Sequence, residues 1–456
     1  MKDTRKKIGA LIISAALVFG LSTTLFAAGE AELTGGEVGG YTSTDSPTVQ
    51  SKQVKIKKEI TAYNKEGSNV NAPTISYTYA IEAGSAGVSI TDADSDHNPA
   101  AAVTKTTLAG ITTGVTMTGT SANTIAWTTD DTLETADAGK PNYKDLTIDF
   151  SNVVFTAPGV YRYKLTETAS GYADAGVTET TNVSANPNTA GSHERYLDVY
   201  VMASSTYTDG TKASDWDIYG YVCLYEDEAI TPDGDTTTTG AVKTNGFVAA
   251  TNDGDTINAD SYYTFNVTIS KTLTGDNASM NHQFPVNVDF TNAAVTKDVK
   301  LNAETNGSVT DYAHTAVAAS NLDGLVTIAS GGSVKYIGIP CGTSVEIYET
   351  NDVANVTYRT TLTVDGAAGT AKDISSTSTP SAFAAYTAAD YNSLNGVITT
   401  TANADDDTAH TVAIANVFQT ISPTGVIVRT APYILLLGAG IVLFVLSRRW
   451  GKKEKA

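Results

Sequence analysis

The chain has 456 residues, a formal net charge of −20 at pH 7 and two cysteines. Both of its ends are basic, so the stretch between them is more acidic still, which argues against nucleic acid or an anionic membrane surface as a partner. The cysteines, Cys223 and Cys341, lie far apart and allow at most one long-range disulfide, not a disulfide framework.

In chain order, Lys2, Arg5, Lys6 and Lys7 precede an apolar stretch from Ile8 to Phe26 that closes on Ala27, Ala28 and Gly29. A basic head, an apolar middle and small residues at the end predict a secretory signal peptide over residues 1–28, cut between Ala27 and Ala31. Residues 29–51 are rich in Gly, Thr and Ser and predict a flexible arm. Alternating apolar and polar runs then recur, among them Thr74–Ile81, Tyr161–Leu165, Tyr196–Met202, Ile218–Leu224, Phe284–Phe290 and Val412–Phe418. Clusters of Gly, Asn and Asp bound these runs, and no long amphipathic helix interrupts them. The pattern predicts an all-β protein with tandem β-sandwich domains, the first over 52–256 and the second over 257–420. Trp127, Trp216 and the tyrosines read as core and strand-surface residues rather than as a carbohydrate platform.

An internal repeat places charged residues on apolar faces. Val54, Ile56, Lys58 and Ile60 alternate in the first half, and Val267, Ile269, Lys271 and Leu273 alternate in the second. With a strand period of two, each lysine shares a face with its apolar neighbours. By the same phase Glu167 falls on the face of Tyr161, Tyr163 and Leu165, and Glu349 on that of Val345 and Ile347. In the last strand Asn416 joins Val412 and Ile414. An isolated buried charge costs several kcal/mol, so a repeated inward lysine and glutamate asks for a specific reason. The plain alternative for any one of them is a strand-end side chain reaching water.

The order lysine, glutamate, terminal-strand asparagine resembles the isopeptide-forming, immunoglobulin-like domains of Gram-positive pilus shaft proteins and collagen-adhesin B domains. The resemblance implies that a lysine amine attacks an asparagine carboxamide and expels ammonia, assisted by the glutamate. An apolar setting favours this by lowering the lysine pKa and raising that of the glutamate. Carried over, it assigns Lys271, Glu349 and Asn416 to the second domain. For the first it assigns Lys58 and Glu167, with Asn252 as the asparagine and Asn245 as the nearest other. In resembling shaft proteins the lysine that links subunits lies shortly before the first domain ends. Lys243 takes that place, in a Thr- and Gly-rich approach, with Lys212 and Lys140 as rivals.

Asp92, Asp94 and Asp96 alternate like the start of a calcium loop, but Val103 stands where the closing glutamate belongs, so they read as a solvated loop. The histidines are scattered without metal-ligand spacing. No phosphate loop, Gly-x-Ser-x-Gly element or cysteine-nucleophile context is present, so neither an enzyme nor a cofactor is expected.

At the C-terminus, Ser422-Pro423-Thr424-Gly425 precedes an apolar run from Ala431 to Ser447 and then Arg448, Arg449, Lys452, Lys453 and Lys455. The run is close to the shortest span for a transmembrane helix, and the basic cluster would hold its end in the cytoplasm. Over 421–456 this order resembles the sorting signal of Gram-positive cell-surface proteins. Ser and Thr flank the Pro here, in place of the commoner Leu-Pro-x-Thr-Gly. The resemblance implies that a sortase cuts between Thr424 and Gly425 and joins Thr424 to an amine. Its implied partners are the sortase, other pilin subunits in a covalent homopolymer and cell-wall peptidoglycan, with a host surface ligand as a further option. An uncut membrane anchor is the plain alternative. At the level of function, a monomeric wall-anchored adhesin or minor pilin is the alternative to a shaft subunit.

Overall fold

The computed structural model describes residues 29–39, 47–92, 103–179, 193–227, 243–252, 255–257, 259–275, 282–305, 308–314, 322–349, 357–369, 372–375, 395–399, 409–418 and 435–445. The twelve strands that organise the sites are β1 (Gln53–Asn64), β2 (Ile75–Ala83), β3 (Lys140–Asp149), β4 (Gly159–Ala169), β5 (Glu194–Ala203), β6 (Trp216–Leu224), β7 (Asp260–Thr274), β8 (Gln283–Thr291), β9 (Ser333–Pro340), β10 (Ser344–Glu349), β11 (Thr357–Val364) and β12 (His410–Phe418). The described residues are all-β apart from short 3-10 turns and a C-terminal helix.

Two cores form. In the first, β1 and β3 present Val54, Ile56, Ile60, Leu146 and Ile148 to the sheet of β2, β4, β5 and β6, which answers with Tyr77, Tyr163, Leu197 and Tyr221. In the second, β7, β9, β11 and β12 share a core with β8 and β10, built on Phe265, Val267, Ile269, Val286, Val345, Ile347, Val412 and Ile414. Burying alternate residues from two facing sheets is how a β-sandwich excludes water.

One strand serves both cores. Residues 260–264 of β7 run parallel to residues 60–64 of β1, while residues 267–274 of the same strand run parallel to β12. A register shift between Phe265 and Val267 lies at the changeover. Such a bulge changes which side chains face a given sheet side, so Tyr262 enters the first core and Val267 the second.

The stretch expected to be a flexible arm differs in its first part. Ala31–Glu32 pairs with β1, and Glu37–Gly39 pairs with β6. Ala31 and Leu33 are buried in the first core, and that apolar burial ties the segment down despite its Gly-rich composition. Cys223 and Cys341 are both buried and free, each packed in a different core. Trp127 and Trp216 are core residues. The signal peptide, Ser422–Gly425, Asp94 and Asp96 lie outside the described residues. Of the apolar C-terminal run, residues 435–445 form a helix with exposed leucines. Among the described residues no helix is long and apolar enough to cross a membrane.

The first unit also buries a charge that sequence periodicity does not flag. Arg162 of β4 is wholly buried, and its Nε and Nη2 donate to the two oxygens of Asp198 on β5, each at 2.8 Å. The two residues are direct cross-strand partners. Removing the carboxylate leaves the buried guanidinium with Asp227, which accepts from its Nη1 at 3.0 Å, in place of a two-point partner, so Asp198→Ala is expected to cost about 3 kcal/mol. The check is a lower urea midpoint at unchanged slope.

Candidate functional sites

In the second unit Lys271 stands on β7, the opening strand, with 1 % of its surface exposed. Its phase with Val267 and Ile269 points it into the core, where its Nζ lies 4.3 Å from the centre of the Phe284 ring on β8. Glu349, at the end of β10 in the facing sheet, accepts from Lys271 Nζ at 2.5 Å through Oε2. Its other oxygen accepts from Asn416 Nδ2 of β12 at 2.6 Å. Glu349 thus bridges the amine of the opening strand and the carboxamide of the closing strand. The two strands are parallel neighbours, with Asn416 opposite Leu273, two residues beyond Lys271.

The electrostatics follow from burial. Desolvation lowers the Lys271 pKa to about 8, with the nearby Glu349 carboxylate opposing only part of the fall. Burial also raises the Glu349 pKa, again partly offset by Lys271. Burial thus moves both groups toward their neutral forms, the amine's pKa falling and the acid's rising. The Asn416 Oδ1 is buried with no hydrogen-bond partner among the described residues. Turning that carboxamide over would set Oδ1 against Glu349, which satisfies it only if Glu349 carries a proton. A protonated carboxyl there would polarise the carbonyl for attack.

The first unit repeats this frame with one change. Lys58 of β1 is 3 % exposed, and its Nζ lies 4.1 Å from the centre of the Tyr77 ring on β2. Glu167 of β4 reaches across the core and accepts from Lys58 at 2.9 Å, while Tyr79 Oη donates to its other oxygen at 2.7 Å. The third group is Asp260, the first residue of β7, whose Oδ2 accepts from Lys58 Nζ at 2.8 Å. Asn252 sits in the Ala250–Asn252 strand, which pairs with Asp255–Ile257 and not with β1. Asn245 accepts from the Gly36 backbone N–H and is likewise engaged elsewhere.

The reason lies in the path of the chain. Gly246–Phe247 docks parallel to β1 with Phe247 opposite Lys58. Gly246 has φ of +134°, and a Cβ there would meet Ile56 Cγ2 and Lys57 O at 2.5 Å, so only glycine fits this approach. The chain then leaves β1 for the 250–257 ribbon and returns at Asp260, opposite Ile60. Local alternation contains no information about where it returns. The signal available was weak: an acidic residue opening an apolar strand.

Lys58 faces two carboxylates where Lys271 faces one. Burial pulls its pKa down, but Glu167 and Asp260 together hold it above the ordinary lysine value. Burial pushes Glu167 up, yet Lys58 and a hydrogen bond from His193 hold it below the ordinary range. His193 approaches Glu167 at 3.3 Å and Glu179 at 2.8 Å.

Lys243 forms a bridge with Leu224, and its Nζ pairs with Glu37 at 2.7 Å, leaving the side chain 29 % exposed. Lys140 is more open, at 48 %, beside Glu134, and Lys212 is exposed. Among the described residues no group of His, Cys, Asp or Glu is arranged to hold a metal ion.

A family model described as a domain of unknown function, DUF7601, matches residues 265–383. No curated protein matches the chain. Among solved structures, the T3.2 major pilin protein of Streptococcus pyogenes is 17 % identical with a TM-score of 0.36, over 81 % of this chain and 99 % of that one. The T-13 major pilin protein of the same species is 15 % identical with a TM-score of 0.31, over 85 % of this chain and 100 % of that one. A pilus-presented adhesin is 12 % identical with a TM-score of 0.22, over 52 % of this chain and 39 % of that one.

Proposed function

We propose that the chain is a structural subunit of a covalently polymerised cell-surface pilus, braced internally by a Lys271–Asn416 isopeptide bond. The observation that carries this reading is the buried bridge Lys271–Glu349–Asn416, which sets an amine and a carboxamide on the opening and closing strands of one unit. The Lys271 nitrogen attacks the Asn416 carbonyl carbon. Glu349 takes the amine proton and delivers it to the departing nitrogen, and ammonia leaves. The product ties two adjacent parallel strands, so pull along the chain meets a covalent bond rather than a zipper of hydrogen bonds.

Assembly rests on the ends of the chain. A signal peptide over 1–28 exports it, and the 421–456 segment with its apolar helix and basic tail holds it at the membrane. A sortase cuts after Thr424 and transfers the Thr424 acyl group to Lys243 of the next subunit or to peptidoglycan. The strongly acidic exported portion suits an extended, soluble surface fibre.

An immunoblot of cell-wall digests tests the reading. A ladder of SDS-resistant multimers is expected. A single species released at monomer size would instead identify a wall-anchored adhesin or minor pilin.

A further inference from the structure

Two buried polar atoms of the second site lack partners, and they belong to residues paired directly across the sheet. Asn416 of β12 has Leu273 beside it on β7 and Thr360 beside it on β11. Leu273 offers only carbon. Thr360 is 1 % exposed, and its hydroxyl, like Asn416 Oδ1, is buried with no hydrogen-bond partner among the described residues. Residues directly opposite in an antiparallel pair share a face, with Cβ atoms about 4.5–5.5 Å apart. The burial agrees: Tyr358, Thr360 and Leu362 are the buried residues of β11, in phase with Ile414 and Asn416 opposite them. Leu273, Phe284 and Tyr358 form an apolar cluster at this end of the unit with Phe418 packed against it, so bulk water does not supply the missing donor. A buried hydroxyl left unpaired costs about 1–3 kcal/mol that a valine of the same shape would avoid, so a threonine here asks for a reason.

We propose that the Thr360 hydroxyl is the oxyanion donor of the crosslinking step, hydrogen-bonding Asn416 Oδ1 as negative charge gathers on it. The inference rests on the self-crosslinking reading of the second site, but not on pilus assembly. Both oxygens of Glu349 are already engaged, Oε2 by Lys271 Nζ and Oε1 by Asn416 Nδ2. A carboxyl that takes the amine proton and hands it to the departing nitrogen cannot also hold the carbonyl oxygen. When Nζ attacks Cγ, the carbonyl electron pair moves onto Oδ1, and the Thr360 O–H donates to it while keeping its own proton. The pair returns to the carbonyl as the C–N bond breaks, and the nitrogen leaves as ammonia with the proton from Glu349. The balance closes without any co-reactant or redox step.

The idle state of the hydroxyl before reaction is part of the argument. An interaction made only as charge develops lowers the barrier, whereas one already made in the unreacted site stabilises both states alike. The surrounding apolar cluster strengthens it further, because a dipole aimed at a developing charge acts most strongly where water is absent. Rotation about the Thr360 Cα–Cβ bond is enough to bring the hydroxyl toward its neighbour, with no movement of either strand.

Timed peptide mapping of the full exported chain, made by cell-free synthesis, decides the matter. It follows the appearance of the linked Lys271–Asn416 peptide, about 17 Da lighter than its two parts. Thr360→Val keeps the branched shape and removes the hydroxyl, and is expected to slow linking by about a hundredfold, while Thr360→Ser restores most of the rate. In the unlinked Glu349→Gln background, Thr360→Val should leave the urea midpoint unchanged or raised, because the hydroxyl makes no hydrogen bond to the described residues before reaction. Linking at the wild-type rate in Thr360→Val, or slow linking in Thr360→Ser, would overturn the proposal. Slow linking joined to a lowered midpoint in the unlinked background would overturn it too, since the hydroxyl would then serve folding. A wild-type chain that never links removes the self-crosslinking reading, and this inference falls with it.

Discussion

Glu349→Ala and Glu349→Gln are expected to abolish the Lys271–Asn416 bond and with it the loss of about 17 Da in the linked peptide. Without the Glu349 carboxylate, burial alone would hold the Lys271 amine still further below its ordinary pKa. Neutral amine would thus be abundant in both variants, and a missing bond reports the lost proton relay rather than a lost nucleophile. In the native site an amine with a pKa of about 8 is roughly one-tenth neutral at pH 7, against about one part in three thousand for an ordinary lysine. Bond formation in freshly synthesised, still unlinked chain should accordingly speed up as pH rises toward 8.

The bond closes a loop from Lys271 to Asn416, so by the chain-entropy argument its loss should cost about 5 kcal/mol. For a unit of this size that is a fall in Tm of roughly 10–20 °C, measurable by calorimetry on the exported chain. Asn416→Ala should fall similarly. A wild-type peptide map without the link, or a link that survives in Glu349→Gln, would sink the assignment.

Thr424→Ala should remove the multimer ladder altogether and release the chain from the wall, because the acyl group passed to the next subunit is that of Thr424. Lys243→Arg keeps the charge opposite Glu37 but replaces the nucleophilic amine with a guanidinium, which stays protonated. It should abolish multimers while leaving monomer on the wall. The Glu37 pairing has to open for the amine to react, and a partly exposed ion pair is worth only about 0–1 kcal/mol, so the cost is small. Multimers that persist in Lys243→Arg would move the linkage to another lysine, with Lys140 the more exposed of the rivals. Persistence of both ladder and wall attachment in Thr424→Ala would refute the pilus reading itself.

Much of the candidate chemistry is legible before any coordinates. Lys58, Lys271, Glu167, Glu349 and Asn416 each declare their inward face through a period of two, and all five are buried. Arg162 is the counterexample. It lies in phase opposite to Tyr161 and Tyr163, reads as solvent-facing, and is nonetheless fully buried, because the strand's outer face is covered and Asp198 answers it across the sheet.

What the sequence determined by itself is therefore the inward face of the strands that carry the lysines and glutamates, and the repeat of those residues, since both are set by local spacing. Which residue closes each site was decided only by the tertiary structure. Asp260 meets Lys58 because β7 returns parallel to β1 in one register, and a bulge near Asn266 then turns the same strand toward the second core. Register between strands 200 residues apart is selected by the packing of whole faces, and a slip of one residue would turn every side chain over. No local pattern encodes that choice, so the contact of Asp260 with Lys58 could not be read from the sequence.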